Sequence, residues 1–141
     1  MRFWDASSIV PLVVGQPQSD AVQAELERDP EVVVWWSTRI ECVSALARLD
    51  RERIREPREL AVAFDRLEAL ALAWREVAST DRVRQLAERI LRVHPLRTGD
   101  ALQLGAAIVA ADGDPATVPF VTFDDRLASA ARREGFPVLP V

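Results

Sequence analysis

Four acidic residues stand where the chain passes from one predicted element to the next. Asp5 and Asp124 each follow a predicted strand, whereas Glu41 and Asp100 lie in the first turns of predicted helices. In a sheet of parallel strands, such positions can meet at one edge. Carboxylates held close together repel one another unless a cation lies between them. Because the set offers oxygen ligands and no histidine, it suits magnesium or manganese rather than zinc.

Each acid also has a purely structural interpretation. Asp5 and Asp124 are suited to cap a helix N-terminus, and Asp100 to complement a helix dipole. Glu41 completes the pattern Thr38–Glu41, which has the form of a capping box. The combination is more informative than any single acid, because the buried surroundings expected for Asp5 and Asp100 disfavour an unpaired charge.

Arginines neighbour three of the four acids and are candidates for phosphate contacts: Arg39, Arg97 and Arg126. A salt bridge or a solvated surface explains them equally well. The chain has 18 basic residues other than its one histidine, and all are arginine. The lack of lysine excludes a Schiff base and a phosphate-loop lysine. The net charge of -4 argues against a generally basic nucleic-acid surface but permits a local cluster.

The elements that must position these residues alternate between short strands and helices. The strands are predicted at Arg2–Trp4, Val32–Trp36, Glu76–Ala78, Pro119–Thr122 and Pro137–Leu139. One apolar stripe runs from Leu60 to Trp74 behind Pro57, which suits a first helical position. A second helix starts after Thr80, and the helix over Asp100–Ala111 is apolar nearly all round. Alternating strands and helices predict a mostly parallel sheet of four or five strands.

Length and composition favour one cytosolic domain. The 141 residues suit a single domain over 1–141 with one core. No apolar run approaches the roughly 18 residues of a membrane helix, and the N-terminus lacks the pattern of a signal peptide. The only cysteine, Cys42, cannot form an internal disulfide, and a buried, inert thiol is expected there. We therefore expect a cytoplasmic protein with no membrane contact.

Four segments resemble a known family in their order along the chain. They are Phe3–Val10, Arg39–Arg48, Leu96–Leu104 and Val121–Ala128. Each contains one of the four acids, and together they are similar to the motifs of PIN-domain proteins. The length and the lack of extra domains are typical of the VapC-type toxins of toxin–antitoxin pairs.

This resemblance implies a metal-dependent endoribonuclease with a Rossmann-like, three-layer α/β fold. It places the metal ligands and catalytic acids at Asp5, Glu41, Asp100 and Asp124, with Ser7 or Thr122 in support. The implied ion is magnesium, with manganese possible, and the implied partners are RNA, a cognate antitoxin and a second copy of the chain. Asp125 departs from the family pattern, because many relatives have one acid there followed by a basic or neutral residue. It either shares the site or faces solvent.

Two other functions compete with this interpretation. A receiver or haloacid-dehalogenase-type domain also places an aspartate at a strand end beside magnesium. Such domains usually need a basic residue, most often a lysine, near the phosphoryl group, and the chain has no lysine. A non-catalytic binding module of the same fold is the other alternative, since fold alone never fixes activity. The presence of all four acids counts against it.

Overall fold

A parallel sheet forms the centre of the protein, in a computed structural model that describes residues 1–140. Its five strands are β1 (Arg2–Trp4), β2 (Val32–Trp35), β3 (Arg75–Val77), β4 (Phe120–Val121) and β5 (Val138–Leu139). All neighbouring pairs are parallel, in the order β3-β2-β1-β4-β5. The five predicted strands are confirmed within one or two residues. Pro119 and Pro137 stay outside β4 and β5, because proline has no N–H to donate to the ladder; their carbonyls accept from Phe3 and Phe120.

Within residues 1–140, seven α-helices connect the strands. They are α1 (Ala6–Val13), α2 (Ser19–Arg28), α3 (Thr38–Arg51), α4 (Pro57–Ala73), α5 (Asp81–Val93), α6 (Thr98–Ala111) and α7 (Asp125–Arg133). α4 begins at Pro57 as predicted, and Thr80 caps α5 by accepting a hydrogen bond from the Val83 N–H. No helix within residues 1–140 combines the length and apolarity needed to cross a membrane.

The helices cover both faces of the sheet and give three layers. Phe3 and Trp35 point to the face that packs against α5, α6 and α7. Trp4 and Val34 point to the other face, which packs against α1, α2, α3 and α4. Successive side chains of a strand alternate between faces, so strands buried on both sides read as continuous apolar runs. The expected three-layer α/β architecture is confirmed.

The strand order creates a crevice at the centre of one sheet edge. From β1 the chain builds β2 and β3 on one side, and β4 and β5 later fill the other side. Connections leave β1 and β4 in opposite directions, and ligands of open α/β sheets bind at the carboxyl ends of such strands. The crevice outside β1 and β4 is therefore where a site is expected.

Candidate active site

Asp5 lies at the end of β1 and is almost completely buried, with 5% of its surface exposed. It occupies the N-cap position of α1, but its side chain caps no backbone N–H. Its Oδ1 instead accepts hydrogen bonds from the hydroxyls of Ser7 at 2.8 Å and Ser8 at 3.3 Å. Asp5 thus stands at the N-cap position of α1, while its carboxylate is held chiefly by hydroxyl groups.

The Asp5 carboxylate has no cationic partner among the described residues, since none of their ion pairs includes it. Burial raises the pKa of Asp5 to about 7, although hydrogen bonds from Ser7 and Thr122 act in the opposite direction. The charge of Asp124 raises this pKa further. A carboxylate that is buried without a cationic partner tends to bind either a proton or another cation.

Ser7 and Thr122 join the ends of β1 and β4 beside Asp5. The Ser7 hydroxyl oxygen accepts from the Phe123 N–H at 2.9 Å and lies 3.2 Å from Thr122 Oγ1. Thr122 Oγ1 in turn accepts from the Asp124 N–H at 3.0 Å. This chain of hydrogen bonds fixes the backbone on both sides of the crevice. The structure thus places both predicted supporting residues next to Asp5.

Asp124 occupies the N-cap of α7, and its Oδ1 accepts from the Leu127 N–H at 2.8 Å. The capping interpretation of this residue is therefore confirmed. Capping engages one oxygen, and a carboxylate can use its second oxygen for another ligand. Asp125 is the first residue of α7 and is exposed.

Glu41 lies in the first turn of α3, but not as part of a capping box. The residue at the N-cap is Ser37, and its hydroxyl donates to Glu41 Oε1 at 2.8 Å. The first helical residue, Thr38, is buried and bonds to the side chain of Gln103. Glu41 Oε2 accepts from Gln103 Nε2 at 2.9 Å. The glutamate is thus held by side chains from two helices, and the capping-box interpretation is wrong.

Gln103 is the residue that sequence reasoning missed. It is 2% exposed and lies on α6, three positions after Asp100 and so on the same helical face. Its amide donates to both Thr38 and Glu41 and ties α6 to the start of α3. The available signal was one amide side chain inside an otherwise apolar helix, since buried polar groups are normally hydrogen-bonded.

Asp100 lies in the first turn of α6 and is partly buried. Burial raises its pKa, and the charge of Asp124 raises it further. A hydrogen bond from the Arg97 backbone acts against this shift, and so do the positive charges of Arg97 and Arg126. Arg39 is exposed on α3 and forms no ion pair within the described residues.

Cys42 is influenced by two of the acids, Glu41 and Asp5. It is completely buried, and burial, followed by the charges of Glu41 and Asp5, raises its pKa well above the ordinary value. The expected inert thiol is confirmed, because a thiol with a raised pKa supplies little thiolate. The charges of Glu41 and Asp5 thus both act on Cys42, and the charge of Asp124 acts on both Asp5 and Asp100.

The acids do not form a preformed metal cage. Among residues 1–140, no three His, Cys, Asp or Glu side chains are grouped so that they hold an ion together. Magnesium does not require such a cage, since it usually keeps several waters and binds one or two carboxylates directly. The buried, unpaired carboxylate of Asp5 beside Asp124 fits a hard divalent cation in charge and in donor chemistry.

Crowding of the acids predicts a gain in stability when one is neutralised. In EDTA, Asp100→Asn should melt a few degrees above wild type, because it removes a partly buried charge next to Asp124. The measurement is thermal melting, with Asp65→Asn on the exposed face of α4 as a control that should not shift. A lower melting temperature for Asp100→Asn would show that this acid supports the start of α6 instead.

Comparison with known proteins identifies the family. The family model of the PIN domain matches residues 2–133. Ribonuclease VapC45 of Mycobacterium tuberculosis is 33% identical over 138 residues, which cover 98% of this chain and 94% of that relative. Ribonuclease VapC49 from another strain of the same species matches to the same extent.

Solved structures agree on the fold. VapC20 of Mycobacterium tuberculosis, described as a Sarcin-Ricin loop cleaving toxin, superposes with a TM-score of 0.65 at 19% identity, covering 96% of both chains. FitAB bound to a DNA fragment gives 0.66 at 18% identity, with 99% of this chain and 94% of that chain covered. The chain therefore belongs to the PIN-domain family, among its VapC-type members.

Proposed function

We propose that this protein is a magnesium-dependent endoribonuclease that acts as the toxin of a toxin–antitoxin pair. The observation that carries the proposal is the Asp5 carboxylate, which is buried at the crevice between β1 and β4, lacks a cationic partner and lies beside Asp124. The curated relatives that share a third of its residues are named ribonucleases. Burying an uncompensated charge is unfavourable, and a site that retains one serves a ligand of opposite charge.

The residues that would hold magnesium are Asp5 and Asp124, with Glu41 and Asp100 around them. Manganese has the same preference for oxygen ligands. When bound, the ion supplies positive charge that stabilises the phosphodiester oxygens and makes water a better nucleophile. Ser7 and Thr122 would keep Asp5 and the backbone before Asp124 in place through the hydrogen bonds described above.

The chain's own residues would carry out the rest of the hydrolysis. Water would attack phosphorus in line: a new P–O bond would form, the bond to the leaving oxygen would break, and that oxygen would take up a proton from solvent. Asp100 would accept the proton of the attacking water, because a raised pKa makes a carboxylate a better base. Arg97 and Arg126 lie near Asp100 and would contact the phosphates of the substrate. Arg39, at the start of α3, is a further candidate for such a contact.

Two surfaces account for the proposed partners: the acidic crevice and the exposed faces of α3 and α4. Arginine of an antitoxin segment would pair with the crevice carboxylates in bidentate fashion. Large apolar side chains are exposed on α3 and α4, including Ile40, Val62 and Leu72, and exposed apolar area is typical of protein interfaces. We assign these faces to the antitoxin and to a homodimer contact. The proposal locates the protein in the cytoplasm, where its RNA substrates are.

Incubation with RNA in magnesium and in EDTA tests the function directly. Cleavage into discrete fragments should require the metal and should return when magnesium or manganese is added in excess of EDTA. The products separate an endonuclease from an exonuclease, since internal cleavage also occurs in circular RNA. Unchanged RNA under all metal conditions would favour the non-catalytic binding module.

Gln103 should affect the metal requirement through Glu41. Gln103→Met keeps the volume but removes the donor, so Glu41 loses one of its two side-chain partners. Outer partners of ligating groups typically change metal affinity or activity by roughly 10–100-fold. We expect a lower kcat and a higher magnesium requirement, with little change in KM for RNA. The exposed Gln85→Met is the control; equal magnesium dependence in both variants would contradict a role for Gln103.

A further inference from the structure

A cavity of about 280 Å³ lies beside the acidic crevice, against the outer face of α7. One wall is the segment that follows α5. The residues that line the cavity include His94 and Pro95 on that wall, and Asp125, Arg126, Ser129 and Arg133 on α7. We call this cavity the α7 groove. Its volume is close to the lower end of cavities that hold small ligands, so it has space for about one nucleotide.

Two arginines of the α7 groove have no carboxylate partner. Arg126 and Arg133 are exposed, and neither takes part in an ion pair within residues 1–140. They are seven positions apart, so they lie two turns apart on one helical face, separated by about 10 Å along the axis. Two unpaired guanidinium groups facing one cavity are suited to phosphate oxygens, which they bind in a planar, bidentate manner.

The acid adjacent to Arg133 is already engaged elsewhere. Glu134 Oε1 lies 2.8 Å from Nε2 of the buried His94, and both Glu134 oxygens accept from Arg89, at 3.1 and 2.8 Å. Arg89 first, and then His94, hold the pKa of Glu134 below its usual range, which keeps it ionised for these contacts. Asp125 is then the one acid lining the groove against two arginines, so the local charge there is positive on a chain whose net charge is -4.

The α7 groove begins next to Asp124, one of the four acids. Arg126 lines the groove and lies two positions after Asp124, in the first turn of α7. Asp125 directly follows the capping residue Asp124. A chain of phosphates cut at the acids would therefore pass Arg126 and reach Arg133 at the far end of α7. A neutral small molecule would make no use of this arrangement.

We propose that the α7 groove binds the phosphodiester backbone of single-stranded RNA next to the bond that is cut, with Arg133 as its outer contact. This inference rests on the proposed ribonuclease function and assigns a binding role to a residue that lies outside the acidic site. Ser129 lies between the two arginines on α7 and can donate its hydroxyl to the same backbone.

Binding of a fluorescein-labelled uridine oligonucleotide tests the groove without catalysis. The background is full-length protein carrying Asp5→Asn, in EDTA, with fluorescence anisotropy recorded at several salt concentrations. Arg133→Gln should weaken binding roughly 3- to 10-fold and make the dependence of log K on log salt shallower by about 0.7. Arg132→Gln removes the same charge one position away, outside the groove, and should change binding by less than about 2-fold.

A second variant fills the groove and leaves its charge intact. Ser129 is exposed, so Ser129→Tyr should fold, occupy the cavity and weaken RNA binding as Arg133→Gln does. Equal effects of Arg133→Gln and Arg132→Gln, or unchanged binding by Ser129→Tyr, would overturn the proposal. So would displacement of the RNA by an oligoglutamate peptide with the same dependence on Arg133, since the groove would then accept any polyanion.

A parallel cleavage assay of wild-type protein with magnesium and unlabelled RNA tests the proposed ribonuclease function separately from the α7 groove. Suppose that wild type cleaves RNA in a metal-dependent way and that Arg133→Gln and Arg132→Gln bind RNA with equal affinity. This result would contradict the α7 groove as an RNA site but would support the proposed ribonuclease function. Failure of wild type to cleave any RNA would remove the proposed function and, with it, the groove as a substrate site.

Discussion

Asp5→Asn should reduce magnesium-dependent RNA cleavage by roughly a thousandfold or more, while the protein keeps its fold. The carboxylate is the most buried of the four acids and directly follows β1, the central strand of the sheet. Asparagine keeps an oxygen that accepts from Ser7 and fills the same space, so the local hydrogen bonds survive. What is lost is the negative charge that attracts the metal ion.

Three measurements separate chemistry from folding in this variant. Circular dichroism and melting should show an intact fold, calorimetry should show weakened magnesium binding, and an RNA assay should show the loss of cleavage. Asp65→Asn, on the exposed surface of α4, removes the same charge far from the crevice and should keep full activity. Full activity of Asp5→Asn would remove the carboxylate from the mechanism and with it the central observation of the proposed function.

The stability of the metal-free protein should fall as pH rises from about 4 to about 7, as far as Asp5 determines it. Burial raises the pKa of Asp5 from 3.8 to about 7 in the folded state. Below the lower value both states are protonated and the residue contributes nothing. Between the two values the unfolded state releases its proton while the folded state retains it, so the free energy of unfolding decreases. Above about 7 the full penalty remains.

This penalty is large for a domain of this size. The interval from 3.8 to about 7 corresponds to about 4 kcal/mol, against a typical total stability of about 5–15 kcal/mol. Asp5→Asn should therefore unfold at higher temperature than wild type above about pH 7 in EDTA, and the difference should vanish near about pH 4. Magnesium should stabilise wild type and have little effect on the variant.

The melting temperatures of wild type and Asp5→Asn are measured across this pH range in EDTA. The quantity of interest is the difference between the two melting temperatures at each pH. The difference cancels the other titrating groups, such as Glu134, whose lowered pKa acts in the opposite sense. A difference that does not change with pH would show that Asp5 keeps its ordinary pKa. The crevice would then be hydrated, and the attraction for a cation would have to come from the other acids.

The fold could be predicted because its signals are local and repeated. Continuous β-branched and aromatic runs such as Val32–Trp35 have apolar side chains on both faces of the strand, so the sheet needs a helical layer on each side to bury them. Even the weakest candidate near Glu76 is a strand at the sheet edge. The ends of the strands were less certain, since prolines at positions 119 and 137 contribute a carbonyl to the ladder without belonging to a strand.

The detailed environment of the acids could not be predicted, because it depends on residues far away in sequence. Glu41 fits a capping box by local pattern, yet its partner Gln103 lies 62 positions later on another helix. Asp5 fits an N-cap, yet its hydroxyl partner Ser7 is itself held by the backbone after β4. Asp124 was correctly interpreted as a cap, because that contact is made within its own helix. Local spacing indicated which acids are candidates for the site, and tertiary contacts decide how each is held.

The four acids come from four separate segments of the chain, the last of them at position 124. A ribosome that translates this message therefore produces no complete site until most of the chain has been made and β4 has paired with β1. Truncated products that end before β4 would carry Asp5, Glu41 and Asp100 but would lack both Asp124 and the strand that pairs with β1. For the proposed nuclease, this order of synthesis places completion of the site late in translation, after Asp5, Glu41 and Asp100 have been made.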